Sequence, residues 1–115
     1  MNPGDYAESL AIQLRKGFLV YCVLLSCAKQ EQYAGDIVRR LSDSDLMVVE
    51  GTIYPLLNRL QKYGYLLHEW RESEQGPPRK YYVLTEYGQR VMIELKQRIK
   101  TLSSTLKTLE KGAKS

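Results

Sequence analysis

Apolar residues fall at Leu10, Leu14, Phe18, Tyr21, Leu25 and Ala28, spaced 4, 4, 3, 4 and 3. That spacing predicts a helix over residues 6–28. Within it FLVYCVLL (18–25) is apolar nearly all round, so this helix is expected to be covered on more than one side. Met1 to Asp5 reads as a frayed start, and Gln30 to Gln32 as a polar break. A second, short helix is predicted over 33–41, with Tyr33, Ile37, Val38 and Leu41 turned inward, followed by a turn at Ser-Asp-Ser-Asp (42–45).

A third helix lies in VEGTIYPLLNRLQKYGY (49–65), and Pro55 constrains its start, because proline sits best in a first turn whose N–H groups lack partners anyway. The helix is predicted to begin near Gly51 or Thr52, with Thr52 as N-cap, and to end at Gly64. Ile53, Leu56, Leu57 and Leu60 form its inward face at i, i+3, i+4 and i+7. Pro55, Asn58, Arg59 and Lys62 lie opposite, with Thr52 and Tyr54 at the edge.

The period then changes to two. LLHEWRES (66–73) alternates as a strand, Gly76-Pro77-Pro78 reads as a stiff tip, and KYYVLT (80–85) returns as a second strand. Trp70 is expected to pack between this ribbon and the helices, and Tyr81 and Tyr82 to face opposite sides. Thr85-Glu86 opens a last helix, along which Met92, Leu95, Ile99, Leu102, Leu106 and Leu109 repeat at 3, 4, 3, 4 and 3. So narrow a seam on a long polar helix is the mark of packing against another helix.

Composition changes this picture only slightly. The 115 residues make one modest domain, 43% hydrophobic and 26% charged. The net charge of +4 admits an anionic partner. Most of that excess sits in residues 81–115, with seven Lys and Arg against three Asp and Glu, so bulk charge does not single out the ribbon tip. Cys22 and Cys27 lie on different helix faces, cannot pair within the helix, and are expected to be buried and reduced. No leader is recognised and FLVYCVLL is far short of the roughly 20 residues that span a bilayer. A cytoplasmic protein with no membrane partner is therefore expected. With one histidine, no glycine-rich phosphate loop and no nucleophile beside a base, neither an enzyme nor a metal or other cofactor is expected.

The order α-α-α-β-β-α is mainly helical with a small β-ribbon: a winged helix-turn-helix plus a C-terminal helix. In that architecture the N-terminal half of the third helix enters the DNA major groove, and here it offers Thr52, Tyr54, Asn58 and Arg59. Asparagine can pair with adenine and arginine with guanine; the hydroxyls reach phosphates or base edges. On the wing, Gly76 allows close approach, the prolines stiffen the tip, and Arg79 and Lys80 can grip phosphate. Arg79 and Lys80 are expected to lack structural partners, whereas Arg39-Arg40 reads as a solvated helix edge. The rival reading is a winged helix used for protein–protein contact, which acidic or apolar residues on the outer face of the third helix would favour.

VVEGTIYPLLNRLQKYGYL (48–66) followed by WRESEQGPPRKYYVLTEYG (70–88) resembles the PadR family of bacterial transcriptional regulators, in its compact branch with a single short C-terminal helix. The resemblance covers roughly residues 15 to 95. It implies a homodimeric repressor bound to a palindromic double-stranded operator, open to relief by a small-molecule effector. Residues 1–85 would form the winged helix-turn-helix, and 86–111 the dimerisation helix. The DNA contacts it implies are Tyr33, Thr52, Tyr54, Asn58, Arg59, Gly76, Pro78, Arg79 and Lys80, with Lys62 beside them on the same helix face. The dimer would form through Met92, Leu95, Ile99, Leu102, Leu106 and Leu109, helped by Leu10, Leu14 and Phe18 of the first helix. The best-known compact members bind flat aromatic ligands at the dimer interface through a tryptophan on the last helix; the one tryptophan here, Trp70, falls on the wing strand.

Overall fold

The computed structural model describes residues 1–30, 32–44, 46 and 50–112. Its first helix, α1 (Pro3–Lys29), does not fray at Asp5 as expected. The Asn2 side chain accepts the Asp5 backbone N–H at 2.8 Å, Pro3 supplies a preset φ in the first turn, and Asp5 complements the helix dipole. The core face of α1 is Leu19, Val23, Leu24 and Cys27. The stripe of Leu10, Leu14, Phe18 and Leu25 faces solvent instead, so the helix has two apolar faces and its own domain covers only one. By length and hydropathy α1 could also cross a bilayer, but its C-terminal half is committed to the core. Both cysteines are free, and burial pushes the Cys27 thiol up to about 12 and raises that of Cys22.

A short strand that the sequence did not announce follows. Gln32 and Tyr33 form β1, which pairs antiparallel with Tyr82 and Tyr81 of the ribbon. Two residues are too few for any periodicity to register. Tyr33 therefore precedes α2 (Ala34–Ser42) instead of belonging to its inward face, which is made by Ile37 and Leu41 with Val38 half-buried. Past α2, the Ser44 hydroxyl donates to the Leu41 carbonyl at 2.6 Å; Asp45, in the predicted turn, lies outside the described residues.

The third helix, α3 (Glu50–Lys62), begins earlier than the proline suggested. Thr52 is its third residue and not its cap, and Pro55 lies in the second turn. The proline removes the N–H that the Gly51 carbonyl would have accepted; both residues are exposed, so water can satisfy that carbonyl. Ile53, Leu56, Leu57 and Leu60 are all buried at the predicted spacing. At the C-terminus Tyr65 N–H donates to the Leu60 carbonyl and Gly64 N–H to that of Gln61, each at 3.0 Å, with Gly64 at φ 83°. This is a Schellman ending, and the left-handed residue it requires explains the glycine.

Strands β2 (Leu66–Ser73) and β3 (Gly76–Leu84) form an antiparallel hairpin, giving the sheet order β1-β3-β2. The turn is Glu74-Gln75, and Ser73 pairs with Gly76 while Arg71 pairs with Arg79. Pro77 and Pro78 thus stand opposite Glu72 alone, so the proline pair forms a β-bulge inside β3 and not the tip. A bulge is where a strand tolerates residues without N–H groups.

The chain ends in α4 (Glu86–Gly112), capped by Thr85, whose hydroxyl accepts the Gly88 N–H at 3.0 Å and donates to the Gly64 carbonyl at 2.7 Å. Gly88 is buried against Tyr65, where a Cβ would lie 2.1 Å from the carbonyl oxygen. Val91, Met92 and Leu95 pack on the core, whereas residues 101–112 project into solvent. This helix and the exposed start of α1 give the molecule extents of 58 × 32 × 22 Å.

Gly64→Ala is expected to lower stability by about 1–2 kcal/mol, the cost of holding an L side chain in the left-handed region. Thermal melts of the two proteins check it.

Candidate nucleic-acid interface

The burial of one α3 face dictates what the other presents. With Ile53, Leu56, Leu57 and Leu60 locked into the core, Thr52, Tyr54, Pro55, Asn58, Arg59 and Lys62 are left exposed on the opposite side. Among the described residues no acidic side chain pairs with Arg59 or Lys62. The face therefore combines amide, hydroxyl, guanidinium and ammonium donors on a rigid element, with no apolar side chain larger than proline apart from the Tyr54 ring.

The ribbon has two unlike faces, because successive side chains alternate. Leu66 and Tyr82 are buried and mark the core side, shared with His68, Trp70 and Lys80. Burial fades along it from Leu66 through His68 to Trp70, which is 65% exposed. Trp70 thus does not pack between wing and helices; the ribbon has outrun the core by that register, and its ring meets His68 edge-on at 6.1 Å. Tyr81 and Tyr82 do point to opposite faces.

On the outer face, Tyr33 and Tyr81 sit side by side across the β1–β3 pair, their ring centroids 5.8 Å apart. A guanidinium covers each ring: Arg79 lies 4.6 Å from the centroid of Tyr33, and Arg71 4.8 Å from that of Tyr81. Both are diagonal cross-strand contacts. Arg39 of α2 donates from Nη2 to the Tyr33 hydroxyl at 2.9 Å and pairs with Asp36 at 3.4 Å. Arg71 pairs with Glu69 at 3.1 Å. Arg79 and Lys80, expected from sequence to lack structural partners, do have them: Arg79 rests on Tyr33, and the Lys80 ammonium is 5.5 Å from the Tyr82 ring. Each still lacks an acidic partner among the described residues, so its charge is uncompensated.

The fold thus gathers the α3 residues on one face of that helix, and sets Arg79 beside Tyr33 on the outer face of the ribbon with Lys80 on the opposite one. Gly76 follows the turn and Pro78 lies in the bulge, directly before Arg79. Arg39, Arg71 and Tyr81 join the cluster around Tyr33 without having been anticipated. Alternation does place Arg71, Arg79 and Tyr81 on odd positions, but only the strand register makes them neighbours.

The sequence profile described as "Transcriptional regulator PadR-like family" matches residues 23–94. The chain belongs to the PadR-like family. PadR-like relatives of known structure cover nearly the same ground. A PadR-like transcription factor from Bacteroides fragilis is 46% identical, with 88% of this chain and 98% of that one aligned at a TM-score of 0.73. A PadR family regulator from Eggerthella lenta is 33% identical over 92% and 93% of the two chains, at 0.79. A PadR-like regulator from Bacillus cereus is 36% identical over 84% and 95%, at 0.78. No curated protein matches. The chain is a PadR-like transcriptional regulator with a winged helix-turn-helix fold.

Of the residues expected at a PadR-type dimer contact, Met92, Leu95 and Ile99 are half-buried within the chain. Leu10, Leu14, Phe18, Leu102, Leu106 and Leu109 are all exposed. The seam of α4 thus begins against its own domain and continues beyond it.

Because Asn58 and Arg59 are exposed, replacing either with Ala is expected to change stability by no more than about 0.5 kcal/mol. Urea titration checks this, and makes any loss in binding by these variants a loss of contact and not of fold.

Proposed function

We propose that this regulator is a homodimeric repressor that binds a palindromic double-stranded operator in the cytoplasm. The observation that carries this reading is the outward face of α3: exposed and rich in donors, with Arg59 and Lys62 unpaired by any acidic side chain among the described residues. Asn58 and Arg59 would read base edges, Thr52 and Tyr54 would reach base edges or phosphates, and Lys62 would meet a phosphate at the far end. Arg79 and Lys80 would hold the flanking backbone or a narrow minor groove, with Gly76 and Pro78 shaping the approach.

Dimerisation would come from the residues α4 leaves uncovered, Leu102, Leu106 and Leu109, continued inward by Met92, Leu95 and Ile99 and supported by Leu10, Leu14 and Phe18 of α1. Residues 1–85 would then act as the DNA-binding unit and 86–111 as the dimerisation helix. A two-fold pairing would set the two α3 helices about 34 Å apart, one turn of DNA. A small-molecule effector would relieve repression by binding the dimer geometry that spoils this spacing more tightly than the one that fits it. No step in this reading is catalytic.

Selection of bound fragments from genomic DNA tests the reading as a whole; failure to enrich any sequence would favour a protein–protein role for the same surface. On a selected site, Asn58→Ala and Arg59→Ala are each expected to cost about 1–3 kcal/mol, and much less on random duplex. The double change Arg79→Ala, Lys80→Ala is expected to weaken binding to every sequence and to reduce the salt slope by about 1.8, or 0.9 per phosphate contact. Leu106→Asp, at a position exposed in the single chain, is expected to leave the fold intact but give a monomer in sedimentation, with operator binding lost far more than half-site binding.

A further inference from the structure

The surroundings of Tyr33 are those of a fixed part. Arg79 lies over its ring at 4.6 Å and Tyr81 beside it at 5.8 Å. Gly35 closes a third side, since a Cβ there would stand 2.5 Å from ring carbon Cε2. The hydroxyl already accepts from Arg39 at 2.9 Å, and Arg39 is itself held by Asp36. Arg79, by contrast, has no acidic partner among the described residues, and directly follows the Pro77-Pro78 bulge.

We propose that Tyr33 is a positioning residue that seats Arg79, and that its part in DNA binding passes through that arginine and not through a contact of its own. This rests on the DNA-binding reading above. A free arginine samples many rotamers and loses them on meeting a phosphate. Held over an aromatic ring, the guanidinium gives up part of that freedom beforehand, and because the ring does not neutralise it, its charge is kept for a phosphate. The bulge fixes the backbone leading into Arg79, and the ring fixes the far end of its side chain. Gly35 belongs to the same device, because any larger residue would displace the ring. Arg39 holds the ring by its hydroxyl and ties the wing to α2.

The test is a double-mutant cycle on the full chain, binding a mixed-sequence duplex over a series of salt concentrations. Tyr33 carries no charge, yet Tyr33→Leu is expected to lower the salt slope toward that of Arg79→Ala, which loses about 0.9 for one phosphate contact. The double variant Tyr33→Leu, Arg79→Ala should bind no worse than Arg79→Ala alone. Tyr33→Phe, which keeps the ring, should keep the wild-type slope. Gly35→Ala favours the helix by propensity, so it should fold, and it should reproduce the Tyr33→Leu slope by moving the ring. Should Tyr33→Leu melt below the assay temperature, Gly35→Ala carries the comparison in its place. Losses that add to that of Arg79→Ala, with the slope of the Tyr33 and Gly35 variants unchanged, overturn the proposal and make Tyr33 a direct contact. Loss of slope in Tyr33→Phe also overturns it, by moving the effect to the hydroxyl. A wild-type chain that binds no duplex removes the DNA-binding reading and the seat together, whereas additive losses in a chain that does bind remove the seat alone.

Discussion

Three parts of this chain, α3, the ribbon and α4, are tied together at Gly64 and Tyr65. The end of α3 is closed by the two backbone bonds that Gly64 and Tyr65 donate, and β2 starts at the next residue. The Thr85 hydroxyl bonds the Gly64 carbonyl while accepting from Gly88, and Thr85 N–H reaches the Tyr65 carbonyl at 3.1 Å. Each of these groups is a backbone or cap atom that would otherwise need water in a half-buried place. The joint fixes the direction in which α3 arrives, the ribbon leaves and α4 departs. Everything presented outward by those three elements inherits its geometry from here. Gly88 is part of the constraint, since only a residue without a Cβ lets α4 begin so close to the Tyr65 carbonyl.

From that joint the apolar residues divide between two kinds of contact. One set, with Val23 and Leu24 of α1, Ile37 of α2, Ile53 and Leu57 of α3 and Leu66 of β2, closes a small core around which the helices are packed. The other set stays at the surface along the outer stripe of α1 and the far half of α4. A domain of this size buries a smaller fraction of its chain than a larger one, so it has little interior to spare for a second stripe. Contiguous exposed leucines on two helices are the usual mark of a surface that another protein covers. The two apolar faces of α1 thus have different duties, and the hydrophobic run that looks uniform in sequence is divided by the geometry of one helix.

The ribbon solves a different problem, that of carrying positive charge on a thin projection. Tyrosine rings take the place of a core there, with Arg71 and Arg79 laid on Tyr81 and Tyr33 and Lys80 near Tyr82. Such contacts order long cations without neutralising them, unlike the ion pairs that Arg39 and Arg71 also make. The proline pair adds stiffness where the ladder is already interrupted.

Much of this was present in the sequence. The i, i+3, i+4, i+7 spacing of Ile53, Leu56, Leu57 and Leu60 set the inward face of α3, and with it which polar residues face out. Gly64, and Thr85 followed by an acid, marked one helix end and one start through local backbone chemistry alone. Local rules failed where a distant segment supplies the partner. The two-residue strand at Gln32 and Tyr33 exists only because Tyr81 and Tyr82 lie across from it. The tip was misplaced because a bulge is defined by two strands, and Pro77 and Pro78 are opposite Glu72 only once the register is known. Trp70 was expected to pack between the ribbon and the helices, but burial depends on how far the ribbon runs beyond the core. Which stripe of α1 is interior, and that Tyr33 lies under Arg79, were likewise decided in three dimensions, where residues far apart in the chain become neighbours.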